Sequence, residues 1–139
     1  MILVDTTVLV YGVGADHPLR DPARAFITAF RDATLHGVTT VEVIQEFAHV
    51  RARRRDRVDA AALAGAYADL LSPLQSPSGE LLKVGLDLWK AVPALGSFDS
   101  VLAALALTSD MPLVSADRAF GDVPGLRWWD LAAGPDSTP

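Results

Sequence analysis

The sequence predicts an α/β fold, a three-layer α/β/α sandwich with a mainly parallel central sheet. Three observations lead to it. Short runs at 1–4 (MILV) and 112–115 (PLVS) are too brief for helices and suit strands buried within a sheet. Longer segments with helix start and stop signals lie between them. No repeat, low-complexity linker or composition break divides the 139 residues, which is the length of one ordinary domain. Short apolar strands alternating with helices imply parallel pairing, with helices on both faces of the sheet.

The elements follow in order. MILV forms the first strand, and a helix can begin at Thr6. Asp21-Pro22 offers an N-cap followed by proline at the first helical position. That helix is expected to run to Gly37, a C-terminal signal. Val38 to Thr40 is a candidate second strand. Helices are expected over about 41–53 and 58–71, and Pro73 to Pro77 suits a short strand or turn. Ser78 can cap a helix to about Ala91, and Ser97 a helix over 98–109. A strand over 112–115, a helical turn over 117–120 and a last strand over 126–129 complete the domain, expected to span 1–131. Residues 132–139 are expected as a disordered tail.

Half of the residues are hydrophobic and 21% are charged, so the chain can hold a core. There is no cysteine, which excludes disulfides and thiolate metal sites and fits a reducing cytoplasm. The apolar N-terminus lacks the basic lead of a signal peptide and contains Asp5. No charge-free stretch reaches the length of a membrane span. Net charge is −5, unlike a general nucleic-acid binder. The segment 51–57, RARRRDR, nevertheless carries +4 and leaves −9 on the remainder. A local basic patch beside an acidic remainder is compatible with a phosphate-binding rim around an acidic centre.

Four acids stand where the fold could gather them. Asp5 follows the first strand, and ligands of open α/β sheets bind at the carboxyl ends of strands. Asp117 repeats that placement after PLVS. Both could equally be plain helix caps. Asp99 is the one charged residue in SFDSVLAALALTS. It lies in the first turn of a helix that is apolar on nearly every face, so it needs a partner: the helix N-terminus, a hydroxyl, an arginine or a metal. Glu46 borders the apolar face of Val43, Phe47 and Val50, while Glu42 lies further toward solvent. Carboxylates held close repel one another. A hard cation such as Mg²⁺ or Mn²⁺ relieves that repulsion, can lower the pKa of bound water and can neutralise a phosphodiester.

These segments resemble the motifs of PIN domains. ILVDTTVLVY is similar to the first, in which a strand ends in aspartate and a small polar residue, here Thr7, follows two positions on. VEVIQEFAHV resembles the second with Glu46, SFDSVLAALAL the third with Phe98-Asp99, and LVSADRAF the fourth with Ser115 and Asp117. The ordered set spans residues 1–130. Length and layout look most like the VapC-type toxins of toxin–antitoxin pairs. The resemblance implies an Mg²⁺- or Mn²⁺-dependent endoribonuclease that is a homodimer and is inhibited by a small antitoxin. Asp5, Glu46, Asp99 and Asp117 are then the catalytic acids and metal ligands, and Thr7 and Ser115 orient them. Many relatives carry a further acid two residues after the fourth-motif aspartate. Here that position is Ala119, which leaves one or two metals open, and Asp122 is a weak substitute. Leu95-Gly96-Ser97 replaces the usual apolar run before the third motif.

Other constellations are weaker. Glu46-x-x-His49 has the spacing of di-iron bundles but occurs once, where two copies are needed. His17 and His36 fall in loops or helix ends. Thr7 stands where haloacid-dehalogenase-like phosphatases carry a second aspartate, which counts against a metal-dependent phosphatase. Arg51, Arg53, Arg54 and Arg55 are candidates for RNA-phosphate, antitoxin or dimer contact, or form a solvated helix end. Trp128 and Trp129 suit core and edge packing better than base stacking. A PIN-like module that binds RNA or protein without cleavage is the rival from a different class.

Overall fold

The computed structural model describes residues 1–139. Strand β1 (Ile2–Val4) leads into helices α1 (Thr6–Val13) and α2 (Arg20–Arg31), then strand β2 (Gly37–Val38). Four helices follow: α3 (Val41–Arg54), α4 (Arg57–Leu70), α5 (Gly79–Ala91) and α6 (Ser97–Thr108). Strand β3 (Leu113–Ser115), a 3₁₀ turn over Arg118–Asp122, strand β4 (Trp128–Asp130) and a last 3₁₀ turn over Leu131–Ala133 close the chain.

The sheet is wholly parallel, in the order β2-β1-β3-β4, and the helices flank it in the expected three-layer arrangement. Its two inner strands are apolar because helices cover both faces. Ile2, Leu3, Val4, Leu113 and Val114 are all buried. They join a continuous core that includes Phe26 and Phe47. Strand order sets where a site can form. The chain leaves β1 toward β2 on one side and later returns to β3 on the other. The carboxyl ends of β1 and β3 are therefore a topological switch point, where the first connections diverge and open a crevice. Asp5 N–H extends the β1–β3 ladder by donating to Val114 O at 3.1 Å.

Several helix ends differ from the sequence reading. Asp21 does not cap α2. The helix starts two residues earlier than expected, at Arg20 with Leu19 as its N-cap, and that cap makes no side-chain hydrogen bond. Pro22 is still tolerated, because first-turn N–H groups have no intrahelical partner. Gly37 does not end this helix either. The helix ends at Arg31, Ala33 takes the left-handed conformation at φ 56°, and Gly37 enters β2. At α6 the N-cap is Gly96 rather than Ser97. Ser78 caps α5 as expected and accepts from Leu81 N–H. The 73–77 segment contributes one isolated parallel bridge, Gln75 to Thr40.

Helix α6 is packed tightly against α5. A Cβ on Gly85 would meet Val101 Cγ2 at 2.9 Å and Val101 Cα at 3.0 Å, so glycine lets the two backbones approach. At the other end of the chain, Trp129 Nε1 donates to Gly134 O at 3.2 Å and to Ser137 Oγ at 2.7 Å. Trp129 is buried edge-on against Phe26 and Trp128 is half-buried, as packing residues should be. No helix is long and apolar enough to cross a membrane.

Candidate active site

Asp5 sits at the switch point with 4% exposure. It caps α1, but its Oδ2 accepts more than the capping bond from Thr7 N–H. Thr7 Oγ1 donates to it at 2.8 Å and Ser115 Oγ at 2.6 Å. Each hydroxyl spends its single proton on this oxygen and accepts a backbone N–H in return. Ala116 N–H donates to Thr7 Oγ1 at 3.0 Å and Asp117 N–H to Ser115 Oγ at 2.9 Å. The polar groups joining β1, α1 and β3 are thus mutually satisfied, as buried polar groups must be. Oδ1 takes no part in these bonds, and Asp5 lines an open cleft. Burial raises the Asp5 pKa, against the lowering effect of the Ser115 and Thr7 hydrogen bonds.

The cleft has a volume of about 670 Å³ and is also lined by Glu46 of α3 and Asp99 of α6. Thr40 positions α3 by accepting from Val43 N–H at its N-terminus. One turn further, Glu46 Oε2 accepts from Thr6 Oγ1 at 2.8 Å. Asp99 stands in the first turn of α6. Its pKa is raised to about 7 by burial first, then by the charges of Asp5, Asp117 and Glu46, and finally by a hydrogen bond with the Asp117 carboxyl that requires a proton. Asp117 caps the 3₁₀ turn through Ala119 N–H. It lies beside the cleft rather than in its lining.

The four acids therefore share one electrostatic environment, and all of their donors are oxygens, the type that hard cations prefer. As the side chains stand, no three His, Cys, Asp or Glu groups are close enough to hold a metal together. The fit rests on donor chemistry: Asp5, Glu46 and Asp99 line one cleft and offer carboxylate oxygens only, with Asp117 beside it.

Thr6 is a residue that the sequence reading treats only as a helix start. Its partner Glu46 is forty residues away, and nothing local signals the pairing. Glu42 is exposed, as expected, and also lines the cleft, as do Gln45 and His49.

Arg51 turns inward. Its Nε donates to Asp59 Oδ2 at 2.6 Å and its Nη1 to Val13 O at 3.3 Å. It ties α3 to α4 and caps the last turn of α1. The same Arg51 bond, ahead of the opposing effect of burial, lowers the Asp59 pKa. Arg53, Arg54 and Arg55 remain exposed. They stand seven to nine residues beyond Glu46, roughly 10–14 Å along the helix axis.

A protein-family model described as the PIN domain matches residues 2–126. Among curated proteins, Ribonuclease VapC7 of Mycobacterium tuberculosis is 54% identical over 125 residues, 88% of this chain and 86% of the relative. Ribonuclease VapC13 of the same organism is 30% identical over 131 residues, covering 91% of this chain and 98% of its own. Ribonuclease VapC23 is 44% identical over 63 residues, 44% of this chain and 50% of the relative.

Proposed function

The chain belongs to the PIN-domain family, and we propose that it is an Mg²⁺- or Mn²⁺-dependent endoribonuclease, the toxin of a type II toxin–antitoxin pair. The supporting observation is geometric: Asp5, Glu46 and Asp99 line one cleft at the switch point of the sheet, and Asp117 N–H is held there by Ser115. The ribonuclease names of the relatives support the substrate class.

Asp5, Asp99, Asp117 and Glu46 would hold the cation. When bound, it supplies a more acidic water and a positive charge to set against the phosphoryl oxygens. The chain's own residues do the positioning. Thr7 and Ser115 fix the Asp5 carboxylate by one oxygen and leave the other free of those bonds, in a residue that lines the cleft. Thr6 fixes Glu46 in the same way. The 3₁₀ turn holds Asp117 by Oδ1. Preorganised charges of this kind need no rearrangement as the reaction proceeds.

We assign Arg53, Arg54 and Arg55 to RNA phosphates or to the antitoxin, and Arg51 to holding the helix that carries them. The protein would act in the cytoplasm as a homodimer bound by a small cognate antitoxin. Exposed Leu86 and Trp89 of α5 supply apolar surface for such contacts.

The test is RNA cleavage by the purified chain, free of co-purified protein, with Mg²⁺, with Mn²⁺ and with chelator. Cuts that need the metal support the nuclease. Cuts that persist in chelator sink the metal-dependent reading. RNA binding without cuts in any divalent metal selects the rival binding module, which Ala119 in place of a further acid favours.

Ser115→Ala removes both the donor to Asp5 and the acceptor of Asp117 N–H. It should weaken metal affinity or activity by about 10- to 100-fold, read as the Mn²⁺ concentration that gives half-maximal cleavage. An unchanged titration would mean that the Thr7 hydrogen bond alone orients Asp5.

A further inference from the structure

Phe98 is 83% exposed, more than any other large apolar side chain of the protein. The preceding Gly96 and Ser97 are exposed too, so no neighbour in the chain shelters it. It lines the same cleft as Asp5, Glu46 and Asp99, and it directly precedes Asp99. The lining continues along Leu82, Val101 and Pro77, and Leu82 is itself 47% exposed. Gln45 and His49 are also exposed in that lining. One cleft thus holds carboxylates, a free aromatic face, and an amide with an imidazole.

Resting on the nuclease reading above, we propose that Phe98 stacks on a nucleobase next to the scissile phosphate and so positions the strand. A nucleotide carries just these two chemistries within one sugar's reach, an anionic phosphate and a flat π-face. The acids, which would hold a cation for the phosphate, and the ring, which would take the base, line the same cleft. Aromatic stacking tolerates any base and requires that the base leave its own duplex. Gln45 and His49 present the hydrogen-bonding groups that read the edge of a base so held. Through a cation the carboxylates would hold a phosphate, whereas an apolar protein segment would use the ring alone, which favours RNA as the occupant.

The experiment compares wild type, Phe98→Ala and Phe98→Trp on one cleaved single-stranded oligoribonucleotide. An abasic nucleotide is then walked along that strand. Phe98 packs little, so melting temperatures should be equal. Phe98→Ala is expected to raise KM about 5- to 100-fold, with kcat changed much less, and Phe98→Trp to restore it. One abasic position should weaken wild type to the level of Phe98→Ala and weaken Phe98→Ala no further. Equal KM values for wild type and Phe98→Ala would overturn the proposal. So would a Phe98→Ala variant that keeps RNA kinetics but loses self-association or antitoxin binding, which would give the ring to a protein contact. Failure of the nuclease reading is separate, because wild type itself would then not cut.

Discussion

Asp5→Asn is expected to lower metal-dependent RNA cleavage by about 10³-fold or more, ~4 kcal/mol of lost transition-state stabilisation, without unfolding the protein. Asparagine is nearly isosteric with aspartate. Its carbonyl oxygen can replace Oδ2 and keep the hydrogen bonds from Thr7 Oγ1 and Ser115 Oγ. The amide nitrogen then takes the place of Oδ1 and turns a donor toward the cation site. A buried negative charge is lost along with its cost of desolvation, so the melting temperature should hold or rise. The measurement pairs initial cleavage rates in saturating Mn²⁺ with thermal unfolding in chelator. A folded variant that cleaves at the wild-type rate would remove Asp5 from the machinery. A collapse of the melting temperature would instead show that the fold itself needs the Asp5 charge, since asparagine keeps the cap.

The double role of Asp5 shows what the sequence can and cannot express. A carboxylate after a short apolar strand is visible from spacing alone, and so is one in the first turn of an apolar helix. Asp5, Asp99 and Asp117 were accessible in this way because each is tied to the end of an element. What the acids rest on is long-range. Ser115 reaches Asp5 across 110 positions and Thr6 reaches Glu46 across forty. Such pairs exist only once the strand order is set, and the strand order comes from packing. The arginine run illustrates the same point. Arg51 has the same local sequence character as Arg53 to Arg55, yet Asp59 on the next helix draws it inward. Helix ends fail for a local reason. Proline suits any first-turn position, and glycine suits a strand as well as a C-cap, so Asp21-Pro22 and Gly37 each admitted two readings.

The cluster should also cost stability when it is empty, and Asp99→Asn exposes that cost. The folded-state pKa of Asp99 lies at about 7, above the value of 3.8 expected without the fold. Between those values the native state binds the proton that the unfolded state releases, so stability falls as pH rises through this window. The stabilising contribution is complete below about pH 4 and is lost above pH 7. In chelator at pH 8, Asp99→Asn should therefore be more stable than wild type, and the gap should close toward pH 4. The whole shift corresponds to about 4 kcal/mol. Asp99 is only half-buried, and screening by water brings the expected gain to about 1–2 kcal/mol, some 3–8 °C in Tm. Mn²⁺ should reverse the order. It binds the folded wild type and raises its Tm by mass action, whereas the asparagine variant should respond weakly and lose cleavage by about 10³-fold. Thermal unfolding at pH 4, 6 and 8, with and without Mn²⁺, reads all of these terms. If the wild-type and variant curves coincide at pH 8 in chelator, neither burial nor the neighbouring carboxylates penalise the Asp99 charge, and the cation has no such cost to relieve. If they separate and Mn²⁺ closes the gap for wild type alone, the burial and the neighbouring charges that weaken the empty fold are what the cation offsets.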